Sequence, residues 1–248
     1  MPRALLKTPS PRFAAGLTSQ TSGAPLLELA LAQHQGYHRA LEQLGFEVTL
    51  LAADALSDSC FVEDMAVVAG SLVIASRSPV RSAEQAPVLA ALADFAQRSI
   101  ESPGKLEGGD VLRLGRDWYI GETERTNRDG IDQFRALVEP FGDRVSAVEV
   151  SGILHLKTGV SRLDDRTVLA LPLLADTFRG LGYEVLEVDP QDWHAANVLA
   201  VGPQVLLPAG HPRVVETLAR RGFVALEVDL SEFKKQDGGA SCLSILLP

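Results

Sequence analysis

Hydrophobic residues recur at helical spacing in several segments of this chain, with polar residues between them. Such a pattern is typical of helices that bury one face. The clearest stripes are Tyr37, Ala40, Leu41 and Leu44; Ile131, Phe134, Leu137 and Val138; and Val214, Val215 and Leu218. The pattern predicts helices that begin near Leu26, Glu84, Thr126, Leu173 and Pro212.

Two short apolar runs, joined by a polar or glycine-containing turn, precede four of these helices. This arrangement is typical of a hairpin. The four pairs occupy residues 65–76, 110–122, 160–172 and 197–209. The third helix has a further signal, because Thr126 is followed three residues later by Asp129, which predicts a capping box.

A repeated pattern follows the helices. Gly142, Gly182 and Gly222 stand 40 residues apart, and an apolar run follows each of them. A glycine there suits the left-handed residue that ends a helix, and the run after it suits a strand. The repeating unit is therefore predicted to be strand, strand, helix, strand.

Five such units can be counted if the first takes its opening strand from the C-terminus. The apolar runs left over are RALLKT at residues 3–8 and CLSILLP at residues 242–248. Joined ends indicate a closed ring, which also removes exposed sheet edges. The fold class expected is α/β: a five-bladed α/β propeller with pseudo-fivefold symmetry, in a single domain over residues 1–248.

Composition narrows the class of protein. The chain has 248 residues, 46% of them hydrophobic and 22% charged, which is ordinary for a globular protein. No apolar run approaches the roughly 18 to 20 residues of a membrane span, and the N-terminus lacks the pattern of a secretory signal, so we expect a cytoplasmic protein. The formal charge of −9 disfavours nucleic acid or an anionic membrane as partner and is compatible with a cationic ligand.

Four short polar motifs lie between the units, where a ring would gather them around one cavity. They are DSCFVED at 58–64, KLEGGD at 105–110, ILHLKTG at 153–159 and DGGASC at 237–242. Together they offer a thiol, an imidazole and several carboxylates. With only two cysteines in the chain, Cys242 stands out because it follows a glycine-loosened turn and precedes a terminal apolar run.

This set of motifs, with ERTN at 124–127, resembles the guanidine-modifying superfamily of five-bladed α/β propellers, and within it the hydrolases of methylated arginine. The resemblance extends over nearly the whole chain. It implies that Cys242 is the nucleophile, His155 the general base and Glu107 the carboxylate that orients it. No metal or organic cofactor is implied.

The resemblance also implies a set of substrate contacts. Asp64, beside Glu63, would bind the guanidinium nitrogens, with Phe61 of the same motif also in contact with substrate. Asp58 and the Leu17 carbonyl would lie near the substrate α-amino group. Arg81 and Arg125 would bind its α-carboxylate, although Arg77 is an alternative to Arg81. Residues 17–25 are either a linker or a mobile lid over the substrate.

The chemistry of a guanidinium group explains these residue types. Its central carbon is a poor electrophile because the charge is delocalised over three nitrogens, and a thiolate is the better nucleophile. The expected reaction converts N-omega-methylated arginine to citrulline and dimethylamine or methylamine, through a covalent thiouronium on Cys242. Acidic neighbours should raise the pKa of the free thiol, and we expect the cationic substrate to lower it on binding.

Two other functions are compatible with the same fold. An arginine deiminase would use the same chemistry, but that family usually carries an added helical portion for which this chain has no room. A non-catalytic propeller that binds a macromolecule would not need Cys242, His155 and Glu107 together. The sequence leaves the oligomeric state open, a homodimer included.

Overall fold

The computed structural model of the chain describes residues 1–248 and contains five sheets of three strands each. The strands are β1 Arg3–Lys7, β2 Glu47–Leu51, β3 Ala66–Ala69, β4 Leu72–Ala75, β5 Ala96–Ser99, β6 Val111–Leu114, β7 Asp117–Glu122, β8 Arg144–Glu149, β9 Val160–Arg162, β10 Thr167–Ala170, β11 Glu184–Glu187, β12 Leu199–Val201, β13 Gln204–Pro208, β14 Val224–Val228 and β15 Ser244–Leu247. The α-helices are α1 Leu27–Gln43, α2 Gln85–Ala91, α3 Arg128–Val138, α4 Leu156–Gly159, α5 Pro172–Gly180, α6 Pro212–Arg220 and α7 Ser231–Lys234. None of these helices has the length and apolar character needed to cross a bilayer.

Each sheet has the same internal order. A central strand pairs antiparallel with one neighbour and parallel with the other, as β7 does with β6 and β8. The first sheet follows this rule with the order β15-β1-β2, in which Leu5 pairs with Ile245 of the antiparallel strand and Thr49 of the parallel strand. The predicted unit of strand, strand, helix and strand is confirmed, including the opening strand that the first unit takes from the C-terminus.

The repeated glycines adopt the backbone conformation that the sequence predicted. Gly142, Gly182 and Gly222 have φ angles of +83°, +91° and +81°. An L-residue with a Cβ rarely adopts these angles, which explains why glycine recurs at this point of the unit. The chain reverses at these glycines and enters the parallel strands β8, β11 and β14.

Four helices begin within a residue of the predicted positions, but the third does not start as predicted. Its N-cap is Asn127, whose side-chain oxygen accepts a hydrogen bond from the backbone N–H of Gly130 at 3.0 Å. The predicted capping box of Thr126 and Asp129 is wrong, because the Thr126 hydroxyl instead donates to Asp110 Oδ2 at 2.6 Å.

The core lies between the sheets. It divides into five apolar clusters, and each contains central-strand residues from two neighbouring units, including the fifth and the first. Successive residues on each central strand point into different clusters. These pairs are Leu5 and Leu6, Val73 and Ile74, Tyr119 and Ile120, Val168 and Leu169, and Leu206 and Leu207. The central strands are therefore buried on both faces, and the five units close into a five-bladed propeller.

Candidate active site

Most of the residues predicted to act together line one cleft. They are Cys242, His155, Glu107, Asp64, Asp58, Arg81, Arg125, Leu17 and Phe61. The exception among the predicted residues is Glu63. Because these nine residues come from different units of the ring, the motifs that contain them converge only through the fold.

Cys242 lies in the turn that directly precedes β15. Its sulfur is half-buried and accepts a weak hydrogen bond from the backbone N–H of Gly239, at 3.4 Å. The other cysteine, Cys60, is fully buried in the largest apolar cluster and does not line the cleft.

His155 and Glu107 form the expected pair. His155 Nε2 lies 2.8 Å from Glu107 Oε2, and the Glu107 carboxylate is almost completely buried. The second oxygen of this carboxylate accepts a hydrogen bond from the Ser78 hydroxyl and lies 3.5 Å from Arg125 Nη1. A carboxylate with these partners holds the imidazole ring in one orientation.

Asp110 fixes the segment that carries the histidine. Its Oδ1 accepts from the backbone N–H of Leu156 at 2.9 Å, and its Oδ2 accepts from Thr123 at 2.8 Å and Thr126 at 2.6 Å. Helix α4 is only four residues long and begins at Leu156, immediately after His155. The hydrogen bond to Asp110 therefore fixes the first residue of this helix.

The glycines of the EGGD motif are required by close packing rather than by phosphate binding. A Cβ on Gly109 would lie 2.8 Å from Asp64 Oδ1 and 2.9 Å from the His155 ring. The Gly109 backbone N–H donates to Asp64 Oδ1 at 2.9 Å. A side chain at this position would push apart two groups that line the cleft.

Carboxylates control the charge state of the histidine. Burial by itself lowers the pKa of His155, but Asp64, Asp110 and Glu107 outweigh burial and raise this pKa to about 9. In return, His155 and Arg81 hold the pKa of Asp64 below its usual range despite its burial. Near neutral pH the cleft therefore contains an imidazolium and an ionised Asp64.

The thiol has the opposite character. Burial is the largest cause that raises the pKa of Cys242, and the Glu63 and Asp64 carboxylates raise it further, to about 12. The Gly239 N–H and the Lys157 ammonium oppose this shift only in part. The direction agrees with the sequence prediction, although burial contributes more than the acidic neighbours on which that prediction depended.

Arg81 lies in the cleft wall, whereas Arg77 does not line the cleft. The Arg81 guanidinium bonds Asp64 Oδ2 at 2.5 Å and Glu84 Oε2 at 2.7 and 3.0 Å. It also donates to the Asp58 and Phe61 carbonyls. The Arg77 side chain instead donates to the Gly104 carbonyl at 3.1 Å. Of the two arginines that the sequence left open, only Arg81 is near the reacting groups.

Leu17 and Asp58 meet at the rim of the cleft. The backbone N–H of Leu17 donates to Asp58 Oδ1 at 3.0 Å, while the Leu17 side chain is about half exposed. Phe61 is buried and packs against Phe13 and Phe233 with ring centroids 6.1 and 6.3 Å apart. The cavity enclosed by these residues has a volume of only about 30 Å³. That is space for a water molecule or two, so a ligand of amino-acid size requires the rim to move.

Glu63 does not occupy the position predicted for it. Its carboxylate lies behind Cys242, where Oε1 pairs with Lys157 Nζ at 2.5 Å and Oε2 accepts from the Ser241 hydroxyl at 2.8 Å. It lines a separate cavity at the side of the ring where β3 and β15 meet. A direct contact between this carboxylate and a guanidinium in the cleft is therefore not supported by its position.

Asp64, Glu107 and His155 are also the one group whose ligand atoms stand close enough for a metal ion, within 4.8 Å of one another. These atoms already have partners within the protein. Asp64 is paired with Arg81 and the Gly109 N–H, and Glu107 is paired with His155 and Ser78. Internal hydrogen bonds explain their proximity without a metal.

Several residues at the site were missed by sequence reasoning. They are Ser78, Asp110, Lys157, Asn197, Ser241 and Asp237. Four of them, Asp110, Lys157, Asp237 and Ser241, lie inside the polar motifs described above. Their polar side chains within those motifs could have identified them as site residues. Ser78 and Asn197 had no such signal, because only the fold brings them to the site.

Comparison with known proteins gives close and nearly full-length matches. The chain is 36% identical over 249 residues to the N(G),N(G)-dimethylarginine dimethylaminohydrolase of Pseudomonas aeruginosa, with 97% of each chain covered. It is 39% identical over 251 residues to the protein of the same name from Streptomyces coelicolor, with 99% of this chain and 96% of the relative covered.

Among solved structures, a cysteine-to-serine mutant of the Pseudomonas aeruginosa protein complexed with citrulline has a TM-score of 0.95 at 35% identity, covering 99% of this chain and 98% of the other. No family model matches the chain.

Proposed function

The chain belongs to the dimethylarginine dimethylaminohydrolase family, and from this premise we propose that it hydrolyses N-omega-methylated arginines to citrulline. Asymmetric dimethylarginine would release dimethylamine, and monomethylarginine would release methylamine. The observation that carries the proposal is the cleft shared by the Cys242 sulfur and the buried His155–Glu107 pair. The citrulline bound to a cysteine mutant of the relative supports citrulline as the product here.

The first half of the reaction begins when the cationic substrate enters the cleft. Its positive charge favours loss of the Cys242 proton to solvent, since a cation beside the sulfur stabilises the thiolate. The thiolate adds to the guanidinium carbon and forms a C–S bond. His155, which is protonated near neutral pH, donates its proton to the methylated nitrogen, the C–N bond breaks and the amine leaves.

The second half returns the protein to its starting state. The thiouronium carbon remains bound to the sulfur, and His155 is now neutral. It takes a proton from a water molecule, whose oxygen adds to the same carbon. The hydroxyl proton of this adduct passes to the departing sulfur as the C–S bond breaks, which releases citrulline, restores the Cys242 thiol and leaves His155 protonated.

The contacts that would hold the substrate follow from the charges of the cleft. Asp64 and Glu107 are the carboxylates available to the guanidinium, through charge-assisted hydrogen bonds. Arg125 and Arg81 are the cations available to the α-carboxylate, with Asp58 and the Leu17 carbonyl available to the α-amino group. Phe61 adds an apolar wall.

The experiment is colorimetric detection of citrulline after separate incubation with asymmetric dimethylarginine, monomethylarginine and arginine. We expect citrulline from the two methylated substrates, and none from Cys242→Ser beyond the uncatalysed background. Citrulline from arginine but from neither methylated substrate would instead indicate an arginine deiminase. Folded protein that produces citrulline from none of the three would contradict the proposed function.

We expect the protein to act in the cytoplasm on a small cationic guanidino substrate, as a single domain over residues 1–248. Size-exclusion chromatography with light scattering would establish whether it is a monomer or a homodimer.

A further inference from the structure

A buried amide group connects the segment of the nucleophile with the segment of the base. Asn197 follows the 3₁₀ segment Pro190–Ala196, and its side chain is almost fully buried. Its Nδ2 donates to the Lys157 carbonyl at 2.9 Å and to Ser241 Oγ at 3.1 Å. Its Oδ1 accepts from the backbone N–H of Ser241 at 2.8 Å. Both N–H groups and the carbonyl of this amide are therefore in use.

The hydrogen bonds also fix which way the amide points. The Lys157 carbonyl can only accept, and the Ser241 backbone N–H can only donate. A flipped amide would place Oδ1 against the Lys157 carbonyl, where both groups are acceptors. It would also place Nδ2 against the Ser241 backbone N–H, where both groups are donors. The orientation with Nδ2 toward Lys157 is therefore the one that satisfies every group.

The partners of Asn197 stand next to the reacting residues. Ser241 immediately precedes Cys242, and Lys157 is two residues after His155 in helix α4. The same two partners are linked a second time through Glu63, which binds the Lys157 ammonium and the Ser241 hydroxyl. The result is a closed ring of hydrogen bonds and one ion pair behind the cleft.

Packing adds a further constraint on the nucleophile's loop. A Cβ on Gly239 would lie 2.4 Å from Asn197 Oδ1, so the loop passes directly over this amide. The N–H of Gly239 is also the group that bonds the Cys242 sulfur. Displacement of the Asn197 side chain would therefore disturb both Gly239 and Ser241, which precede Cys242 in the same loop.

We propose that Asn197 is a positioning residue that holds Cys242 at the correct distance from His155. This inference rests on the proposed function, in which these two residues act on the same carbon. A misplacement of about 1 Å is enough to lower a rate on the order of 100-fold. The effect belongs in kcat, because Asn197 does not line the cleft and makes no contact with the proposed substrate groups.

The test compares Asn197→Ala with the matched control Ser161→Ala. Ser161 Oγ donates to the Ala196 carbonyl at 2.8 Å and accepts from the Val198 N–H at 3.0 Å. Its removal therefore loosens the same segment on both sides of Asn197 without touching Ser241 or Lys157. We expect Asn197→Ala to lower kcat about 10- to 100-fold with KM changed less than about threefold. Ser161→Ala should keep kcat within about twofold for a comparable loss of Tm.

If Asn197→Ala does not fold, Asn197→Asp and the rate of Cys242 alkylation test the positioning role instead. Asn197→Asp keeps the acceptor for the Ser241 N–H but loses the donors to Lys157 and Ser241 Oγ, and kcat should again fall at least about 10-fold. In both Asn197 variants, alkylation of Cys242 by iodoacetamide should be about 3- to 10-fold slower at each pH, because the loop that holds the Gly239 N–H at the sulfur loses its link to the Lys157 carbonyl.

The outcomes separate the two proposals. Unchanged kcat in an Asn197 variant, or an equal fall in Ser161→Ala, would overturn the positioning role. If wild-type protein makes no citrulline at all, the proposed function fails. The alkylation rates then still decide whether Asn197 positions the thiol, and equal rates in wild type and both Asn197 variants would refute it.

Discussion

At the scale of single residues, the two groups that would react are both protonated in the free protein near neutral pH. Burial and acidic neighbours raise the pKa of Cys242 to about 12, and acidic neighbours raise that of His155 to about 9. The free protein therefore does not contain a preformed thiolate–imidazolium ion pair. The positive charge of the substrate would lower the pKa of the thiol, so Cys242 would react faster with cationic ligands than with neutral ones.

The pH dependence of thiol alkylation tests this charge arrangement. The rate of Cys242 alkylation by iodoacetamide should rise about 10-fold for each pH unit from 7 to 9 without a plateau, because the thiolate fraction grows in that proportion below the pKa. Mass spectrometry of the labelled peptide gives the rate, and Cys242→Ser corrects for Cys60. A plateau reached below about pH 7 would show a preformed Cys–His ion pair instead.

The raised pKa of His155 also predicts a dependence of stability on pH. Its folded pKa of about 9 exceeds the ordinary value of 6.5, so its stabilising contribution is fully present below about pH 6.5 and is lost as pH rises through 9. The shift corresponds to on the order of 3 kcal/mol. The free energy of unfolding of wild type minus that of His155→Gln, from urea denaturation, should therefore be larger at pH 6 than at pH 10. An equal difference at the two pH values would contradict the role of the carboxylates.

At the scale of elements, the carboxylate of Asp237 binds three successive residues of the segment 17–25 beside the cleft. Asp237 accepts from the Thr18 hydroxyl at 3.0 Å, the Ser19 N–H at 2.6 Å and Gln20 Nε2 at 2.6 Å. Asp237 has a φ of +57°, which is uncommon for a residue with a side chain. It belongs to the same loop as Cys242, so closure of the rim and presentation of the nucleophile depend on one stretch of chain.

Removal of this carboxylate should open the segment. We expect Asp237→Ala to increase hydrogen exchange of the Ser19 amide at least about 10-fold and to raise KM, because the segment loses its main partner. Asp237→Asn should restore part of the protection, since it keeps an acceptor and tolerates positive φ.

A matched control is Asp229→Ala, because Asp229 accepts from the Ser231 N–H, at 2.9 Å, and from no group in residues 17–25. Exchange at Ser19 that is the same in wild type and Asp237→Ala would refute the lid interpretation.

At the scale of the whole molecule, the last five residues close the ring. Strand β15 pairs with β1, and the side chains of Ile245 and Leu247 are buried in the cluster between the first two units. A chain that ends at Leu243 keeps Cys242 but loses this closure. Burial of two such side chains is worth roughly 3 to 6 kcal/mol.

We therefore expect truncation after Leu243 to lower the free energy of unfolding by roughly this amount and to abolish citrulline formation, although the nucleophile remains. Circular dichroism during urea denaturation measures the first effect. Removal of Pro248 alone, which is exposed, serves as the control. A truncated protein with wild-type stability would show that ring closure is not required.

The fold could be predicted largely because its signals are local and repeated. Hairpin turns, helical stripes and the glycines at 142, 182 and 222 each depend on residues close together in the chain, and the spacing of 40 residues indicated the unit. The start of α3 could not be predicted in the same way. Thr126 is a good cap by type, but a tertiary contact with Asp110 uses its hydroxyl and leaves the cap to Asn127.

The residue types of the reaction were likewise determined by the sequence: a thiol, an imidazole and carboxylates in short polar motifs between the units. Only the tertiary structure decided that Glu63 lies behind the nucleophile while Asp64 lines the cleft, and that Asn197 and Ser78 support the reacting residues. The physical reason is that neighbouring residues in an irregular segment point in different directions. Which of them meets the cleft depends on contacts with chain segments far away in the sequence.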